Sequence, residues 1–424
     1  MKKILALILA LAMIFALAAC GQAAAPAANE APAAEAAPAA EEAAPAAEEA
    51  APAEEAAPAE EAAPAFKAGL LTLHDENSGY DANFITAFKA ACEAVGAEAV
   101  VVSGVEEDQS AYDKAAELAD AGCSVIFADS YGHQSYILQA AQDFPEVQFT
   151  SCTGDIALSS GVENFHNAFA NIYQGRYLAG VAAGLKIQEM IDNGEVDADN
   201  VKVGYVGAMP YAEVISGYTS WFLGVRSIIE NVTMDVIYTG SWYDETLEKE
   251  SAEALIRGGA VLVSQHADSM GAPTACETAG VPNVSYNGST QEACPNTYII
   301  SSRIDWQPYF EYAMKAVMAG ENYDTDWCGT LETGSVKLTE LNENVAAAGT
   351  QEKLDEVEAA LLDGSLKVFD TANWTLNGEH LTTYDKVAFY EGNECIWDGF
   401  FHESETRSAP YFDIIIDGIT IKTI

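Results

Sequence analysis

Positive charge is scarce in this chain. It carries 19 Lys and Arg against 65 Asp and Glu, so its formal net charge at pH 7 is −46. A surface that acidic repels phosphate backbones, which argues against a nucleic-acid partner. A simpler explanation for the acidity is that it keeps an exported protein soluble. In either case, we expect no nucleic acid to bind.

Recognisable catalytic motifs are also missing. The sequence has no GxSxG elbow, no Walker-type glycine loop, no GxGxxG after a strand and no HExxH. His133, His266 and His402 each have acidic neighbours, but none lies near a plausible nucleophile in a recognisable arrangement. We therefore do not expect an enzyme.

The eight cysteines are scattered and form no CxxC pair. No histidine stands at metal-ligand spacing from them, so we expect no zinc site and no cofactor. Setting Cys20 aside leaves seven, an odd number whose pairing cannot be read from the sequence. Disulfides and buried free thiols both remain open.

The first 65 residues differ in amino-acid composition from the rest. Two lysines and an apolar run too short for a membrane span are typical of a secretory signal peptide, predicted over residues 1–19. The run ends in LAACG, which resembles the lipobox of bacterial lipoproteins and makes Cys20 the expected lipidation site; the alternative is an ordinary signal peptide with an incidental cysteine. Residues 20–65 repeat Ala, Pro and Glu without an aromatic residue, which predicts a disordered tether to a membrane.

From Phe66 onward the apolar pattern alternates between strands and helices. The first unit is a buried strand, a polar loop at residues 74–79 and a helix over Tyr80 to Ala91. Two such series, each of about four strands, predict two similar α/β lobes with parallel sheets that face one another. The cleft between them is the expected binding site. The last forty residues alternate like β structure, and we expect them to pack on the second lobe.

Aromatic and small polar residues recur where strands end, and in parallel sheets such ends face the ligand. Aromatic faces on opposing lobes can sandwich a flat ring, and carboxylates and amides can bind its edge. For any single aromatic residue, core packing is the alternative. The strand-end residues are Tyr80, Asp81, Ser130, Tyr131, Trp242, His266, Asp268 and Asn287.

Several segments resemble the basic membrane protein family of ABC-transporter substrate-binding lipoproteins, and within it the Med-like branch. They are GYDANFITAFKAA, IFADSYGHQSYILQAAQDFPEVQF, YQGRYLAGVAAG, GSWYDETLEKESAEALIRGGAVLVSQHADS and IDWQPYF. The resemblance implies a type I periplasmic-binding-protein fold, with two Rossmann-like lobes, three crossings at a hinge and closure on a small ligand. We expect residues 66–168 and 288–325 in lobe 1, and residues 169–287 and 326–424 in lobe 2.

The resemblance also implies a purine ligand, either a nucleoside or a free base. Tyr80 and Trp242 stand where the family has its two ring-stacking aromatics. Asp81 replaces a usual asparagine, which keeps an acceptor but removes a donor. Near Arg303, nucleoside-binding members carry a sugar-binding lysine; here the segment has the Med-like form with Trp306, which favours a base.

These expectations define a lipid-anchored, monomeric receptor on the extracytoplasmic face of the cell membrane that delivers a purine base or nucleoside to an ABC permease. Tyr80 and Trp242 would clamp the ring, and the remaining strand-end residues with Trp306 would line the pocket. A receptor of the same fold for an amino acid, a sugar or a signalling molecule is the alternative. An enzyme or a surface adhesin is a third possibility from another class.

Overall fold

The computed structural model describes residues 66–388 and 390–423. The predicted signal peptide, Cys20 and the tether lie outside these residues. Within the described ranges the strands are β1 Lys67–Leu71, β2 Glu98–Val102, β3 Cys123–Ala128, β4 Gln148–Cys152, β5 Phe165–Ala170, β6 Lys202–Gly207, β7 Thr233–Tyr238, β8 Val263–His266, β9 Asn283–Tyr286, β10 Tyr298–Ile304, β11 Asp326–Gly329, β12 Val336–Leu338, β13 Ile396–Trp397, β14 Phe400–Phe401 and β15 Ile419–Lys422. The helices there are α1 Gly79–Val95, α2 Gln109–Asp120, α3 Gln134–Asp143, α4 Ala157–Ser160, α5 Ile172–Asp192, α6 Ala212–Arg226, α7 Glu245–Arg257, α8 Gly271–Ala279, α9 Gln307–Ala319 and α10 Thr350–Leu362.

Lobe 1 is built on a six-stranded parallel sheet in the order β11-β5-β4-β3-β1-β2. Helices α1 and α9 cover one face of this sheet, and α2 and α3 cover the other. Because both faces are covered, central strands such as β3 read as almost continuous apolar runs and are buried. The sequence pattern identifies these strands for that reason.

Lobe 2 is built on a seven-stranded sheet in the order β12-β10-β9-β8-β6-β7-β15, in which only β12 runs antiparallel to its neighbour. Helices α5 and α6 pack closely on one face. A Cβ atom at Gly180 would lie 2.1 Å from the carbonyl oxygen of Trp221, and one at Gly224 would lie 2.2 Å from that of Tyr177. The two glycines are therefore required by the approach of the two backbones.

The chain crosses between the lobes three times: from β5 to α5, from β10 to α9, and from β11 to β12. The last two crossings correct the predicted boundaries. Strand β10 pairs with β9, which places residues up to 304 in lobe 2, not lobe 1. Strand β11 pairs with β5, which places residues 326–329 in lobe 1. An apolar run predicts a buried strand, but only the tertiary pairing decides which sheet receives it.

The C-terminal segment, residues 367–423, packs on lobe 2 as expected, and its last strand extends that sheet by pairing with β7. Phe369, Trp374 and Phe412 join the core beside α5 and α6. The segment also reaches lobe 1. The amide and hydroxyl groups of Ser408 donate to the Asp326 carboxylate at 2.8 and 2.5 Å, and Arg407 lies 3.5 Å from Asp155.

The seven cysteines in the described part of the chain are all free thiols, and six of them are buried. Within those residues, no group of three or more His, Cys, Asp or Glu side chains is placed to hold a metal ion. No described helix combines the length and the apolar character needed to cross a membrane.

Candidate ligand-binding site

A small cavity lies between the two lobes, where strands of both sheets end. In this closed arrangement its volume is about 20 Å³, room for about one water molecule, so a ligand would occupy it only with the lobes further apart. Six of the nine predicted site residues line it, and Leu73, His74, Thr153 and Glu213 complete the wall. The six are Tyr80, Ser130, Tyr131, Trp242, His266 and Asp268.

The lobes are closed over this cavity. The amide of Gly79 lies 3.5 Å from the carbonyl oxygen of Asp268 in the opposite lobe. The rings of His74 and Tyr243 approach to 5.5 Å between centroids, and those of Tyr131 and Tyr211 to 6.1 Å. A ligand can therefore reach the cavity only when the lobes separate about the hinge.

Tyr80 supplies the aromatic wall on lobe 1. It lies in the first turn of α1, which Ser78 caps by accepting a hydrogen bond from the Asp81 amide. The Tyr80 hydroxyl donates to the carbonyl oxygen of Asp129 at 2.5 Å, and its ring lies 5.0 Å from that of Phe84. Burial and the nearby Asp129 raise the pKa of Tyr80 well above its usual value, so the hydroxyl keeps its proton.

Trp242 supplies the aromatic wall on lobe 2, in the loop after β7. Its carbonyl oxygen accepts a hydrogen bond from the Asp268 amide at 2.9 Å, which ties this loop to the one after β8. The Trp242 ring lies 6.0 Å from Tyr211 and 6.3 Å from His266 between centroids. Tyr80 and Trp242 thus face one cavity from opposite lobes.

Asp81 lies behind the cavity wall and does not line it. Its side chain is fully buried and accepts from the His74 amide at 2.7 Å and from the Ser78 hydroxyl at 2.5 Å. Although burial acts to raise it, hydrogen bonds from His74 and Ser78 hold the pKa of Asp81 below its usual value. The carboxylate is positioned to orient these neighbours.

Asp129 is buried behind the same wall, near Asp81. It is fully buried and accepts a hydrogen bond from the Leu73 amide at 3.1 Å. Burial and the charge of Asp81 raise the pKa of Asp129 well above its usual value. The opposite shifts of the two pKa values favour the proton on Asp129 and the negative charge on Asp81.

Two carboxyl groups of lobe 2 face the cavity. Glu213, in the first turn of α6, lies 3.4 Å from Nε2 of His266. Burial lowers the pKa of His266, so the ring is neutral and does not cancel this charge. Asp268 follows β8, and burial together with the charges of Asp81, Glu248 and Glu213 raises its pKa well above the usual value.

Asn287 and Trp306 do not line this cavity. Asn287 follows β9 with a positive φ of 67° and lies in a separate groove beside Arg303. Trp306 is buried in the lobe 1 core, stacked on Phe84 at 4.4 Å. Each follows a strand, but neither side chain lines the cavity.

Four lining residues were not predicted from the sequence, although three of them lie at or near strand ends, as the predicted ones do. Leu73 and His74 lie two and three residues after β1, and Thr153 directly follows β4, so the strand-end rule applies to them as well. Glu213 lies in the first turn of a helix, where acidic residues are common because they interact favourably with the helix dipole. Its position in the sequence therefore does not distinguish it as a cavity residue.

Comparisons with known proteins agree with this architecture. The family described as "ABC transporter substrate-binding protein PnrA-like" matches residues 73–366. The chain is 29% identical to the purine-binding protein BAB2_0673 of Brucella abortus, over 69% of this chain and 81% of that protein. It is also 29% identical to the putative ABC transporter glucose-binding protein TsgA13 of Haloferax volcanii, over 66% and 67% of the two chains.

A solved structure of a solute-binding protein of an ABC transporter system from Conexibacter woesei superposes with a TM-score of 0.58. It is 23% identical and covers 72% of this chain and 98% of that chain. The likeness confirms the expected type I periplasmic-binding fold. Proteins of this kind bind a small molecule outside the cytoplasm and present it to a permease. With the family match spanning more than two thirds of its length, the chain belongs to the PnrA-like family of ABC transporter substrate-binding proteins.

Proposed function

We propose that this protein captures a purine for import, and that the purine is bound as a free base. The observation that carries the proposal is the placement of Tyr80 and Trp242 on opposite walls of one cavity. A flat ring between them would gain roughly 1 to 3 kcal/mol for stacking on an aromatic face. The Brucella relative is named a purine-binding protein, which supports the same ligand class.

The preference for a base over a nucleoside rests on what surrounds the cavity. Arg303, near the position where nucleoside-binding relatives carry a sugar-binding lysine, lies outside it. Its guanidinium donates to Asn83 at 3.1 Å and lies 3.6 Å from Asp305. Among the described residues that line the cavity there is no Lys or Arg to hold a ribose.

The remaining lining residues have roles that follow from their chemistry. Ser130, Tyr131, His266 and Asp268 would contact the edge of the ring through hydroxyl, imidazole and carboxyl groups. Lipidation of Cys20 would anchor the receptor to the membrane, with residues 20–65 as the tether and a monomer as the working unit. Asn287 and Trp306 would act through the lobe packing they support, and not through ligand contact.

Ligand-induced shifts in melting temperature test the proposal. We expect adenine or guanine to raise the Tm, and Trp242→Ala to weaken binding by about 5- to 150-fold, the equivalent of one lost stacking contact. Trp397→Ala, at a partly exposed tryptophan of the C-terminal segment, is the matched control and should leave the shift unchanged.

The second relative makes glucose a necessary comparison. A Tm shift with glucose and none with any purine would overturn the proposal in favour of a sugar receptor. Native mass spectrometry of the freshly purified protein adds an independent result, since a copurified purine would support the proposal and a copurified sugar or amino acid would contradict it.

A further inference from the structure

The cavity is rich in hydrogen-bond acceptors. Three of its hydroxyl groups already give their hydrogen to the protein: Tyr80 to the Asp129 carbonyl at 2.5 Å, Thr153 to the same carbonyl at 3.3 Å, and Ser130 to the Glu107 carboxylate at 2.5 Å. Each of these oxygens can therefore only accept from a ligand. The lobe 1 wall thus offers mainly lone pairs.

The lobe 2 wall adds two carboxyl groups that the protein leaves largely unpartnered. Among the described residues no donor lies within hydrogen-bond distance of the Asp268 carboxyl, and Glu213 has only the long 3.4 Å contact with His266. Both carboxyl groups are partly exposed in the cavity, where water can hydrogen-bond to them. A ligand that displaces this water must supply donors in its place. A protonated carboxyl still presents one acceptor oxygen but can also donate its own hydrogen, so the preference for a donor rests mainly on Glu213.

Among the described residues, the lining holds no Lys or Arg, and the pKa of its one candidate cation, His74, is raised by its hydrogen bond to Asp81. Arg176 is a buried cation of lobe 2 whose contacts lie elsewhere. Its guanidinium donates to the Gln265 carbonyl and to Tyr205, and it covers the Tyr286 ring at 3.7 Å. His74 is paired with Asp81 at 3.4 Å. An anionic ligand would therefore meet uncompensated negative charge.

We propose that Glu213 and Asp268 select an amino-substituted purine over oxo-substituted and anionic purines. This inference rests on the proposed function and names the ligand within it. An exocyclic amino group brings two N–H donors to the unpartnered carboxyls. An oxo group at the same ring position brings only lone pairs, which would face other acceptors.

Adenine and hypoxanthine are a useful pair of probes because they share the ring skeleton; the change from amino to oxo at C6 also replaces the N1 lone pair by an N–H, so the comparison reports on the whole C6–N1 edge. We expect calorimetry to show adenine binding about 10- to 100-fold more tightly, the worth of one hydrogen bond to a charged group. A second amino group, in 2,6-diaminopurine, should tighten binding again. Urate and adenosine monophosphate, which are anions, should not bind measurably.

Variants assign the preference to the two residues. In Glu213→Gln and Asp268→Asn, the amide adds a donor and removes the charge, so the ratio of adenine to hypoxanthine affinity should fall at least about tenfold. Glu245→Gln removes the same charge from an exposed position on α7 and should leave the ratio unchanged. Melting curves without ligand establish that each variant folds.

The results separate the two claims. Equal or tighter binding of hypoxanthine, or an unchanged affinity ratio in both variants, overturns this inference and leaves purine binding intact. If no purine binds, the proposed function falls and the inference falls with it. A ratio that favours adenine and collapses in either variant supports the assignment.

Discussion

Arg407 forms a contact between the lobes that is separate from the three hinge crossings and from the ligand cavity. It belongs to the C-terminal segment anchored on lobe 2, and it pairs with Asp155 of lobe 1 at 3.5 Å. The side chains are only 11% and 14% exposed, and the guanidinium lies over the rings of Tyr390 and Tyr411 at 5.3 and 5.5 Å. We predict that Arg407→Gln destabilises the closed arrangement.

The magnitude follows from burial and distance. An exposed ion pair contributes about 0.2 to 1 kcal/mol, and breaking a fully buried one costs about 3 to 5 kcal/mol. This pair is mostly buried but has a single, rather long contact, so we expect a cost of about 1 to 3 kcal/mol. If the cost falls on the closed state alone, dissociation of a bound purine should become about 5- to 150-fold faster.

Stopped-flow measurement of adenine association and dissociation, followed by tryptophan fluorescence, checks this expectation. Association should change little, because the open lobes lack the contact in both proteins. Arg257→Gln is the matched control, since Arg257 pairs with Glu253 at a similar 3.6 Å but lies exposed within one helix. Unchanged dissociation in Arg407→Gln, or strictly additive effects with Asp155→Asn, would refute the reasoning.

Three further predictions concern stability. Burial raises the pKa of Glu403 from 4.5 to about 7, so the folded state holds a proton that the unfolded state releases; stability should fall by roughly 3 kcal/mol from pH 4.5 to 7, and urea unfolding of Glu403→Gln should lack this component. The pKa of Asp129 is also raised, so the unfolded state releases a proton that the folded state keeps. Asp129→Asn should therefore match the parent near pH 4 and gain stability relative to the parent by about 1.4 kcal/mol per pH unit above it. Equal stabilities of variant and parent at both pH 4.5 and pH 7.5 would contradict the raised pKa. Gly224→Ala places a Cβ 2.2 Å from the Tyr177 carbonyl oxygen and should cost about 1 to 3 kcal/mol in the same assay, with Gly288→Ala, where a Cβ meets nothing, as its control.

Much of the fold follows from the sequence because covered parallel sheets leave a strong local pattern. Buried strands such as β3 are continuous apolar runs, and helices such as α2 carry apolar residues at helical spacing. Two series of such elements indicate two lobes. The pairing of β10 with β9 cannot be predicted in this way, because the apolar pattern of a strand indicates that it is buried but not which strand it pairs with.

The candidate site, too, is only partly predictable from the sequence. Polar and aromatic residues at strand ends are visible in one dimension, and the shared direction of parallel strands brings Tyr80, Trp242 and Asp268 to one cleft. How deeply each side chain is buried cannot be read from the sequence. Asp81 is one residue further into α1 than Tyr80, and the helical rotation turns it beneath the wall, where it bonds His74 and Ser78.

By itself, then, the sequence determined most of the elements, the family they belong to and most of the strand ends that face the cleft, because these depend on local periodicity and on short motifs. Only the tertiary structure decided that Glu213 faces the ligand cavity, that Asp129 is buried near Asp81, and that Arg407 bridges the lobes. Those facts depend on distances between groups far apart in the chain. Such distances are set by the packing of whole lobes and leave no trace in any single segment.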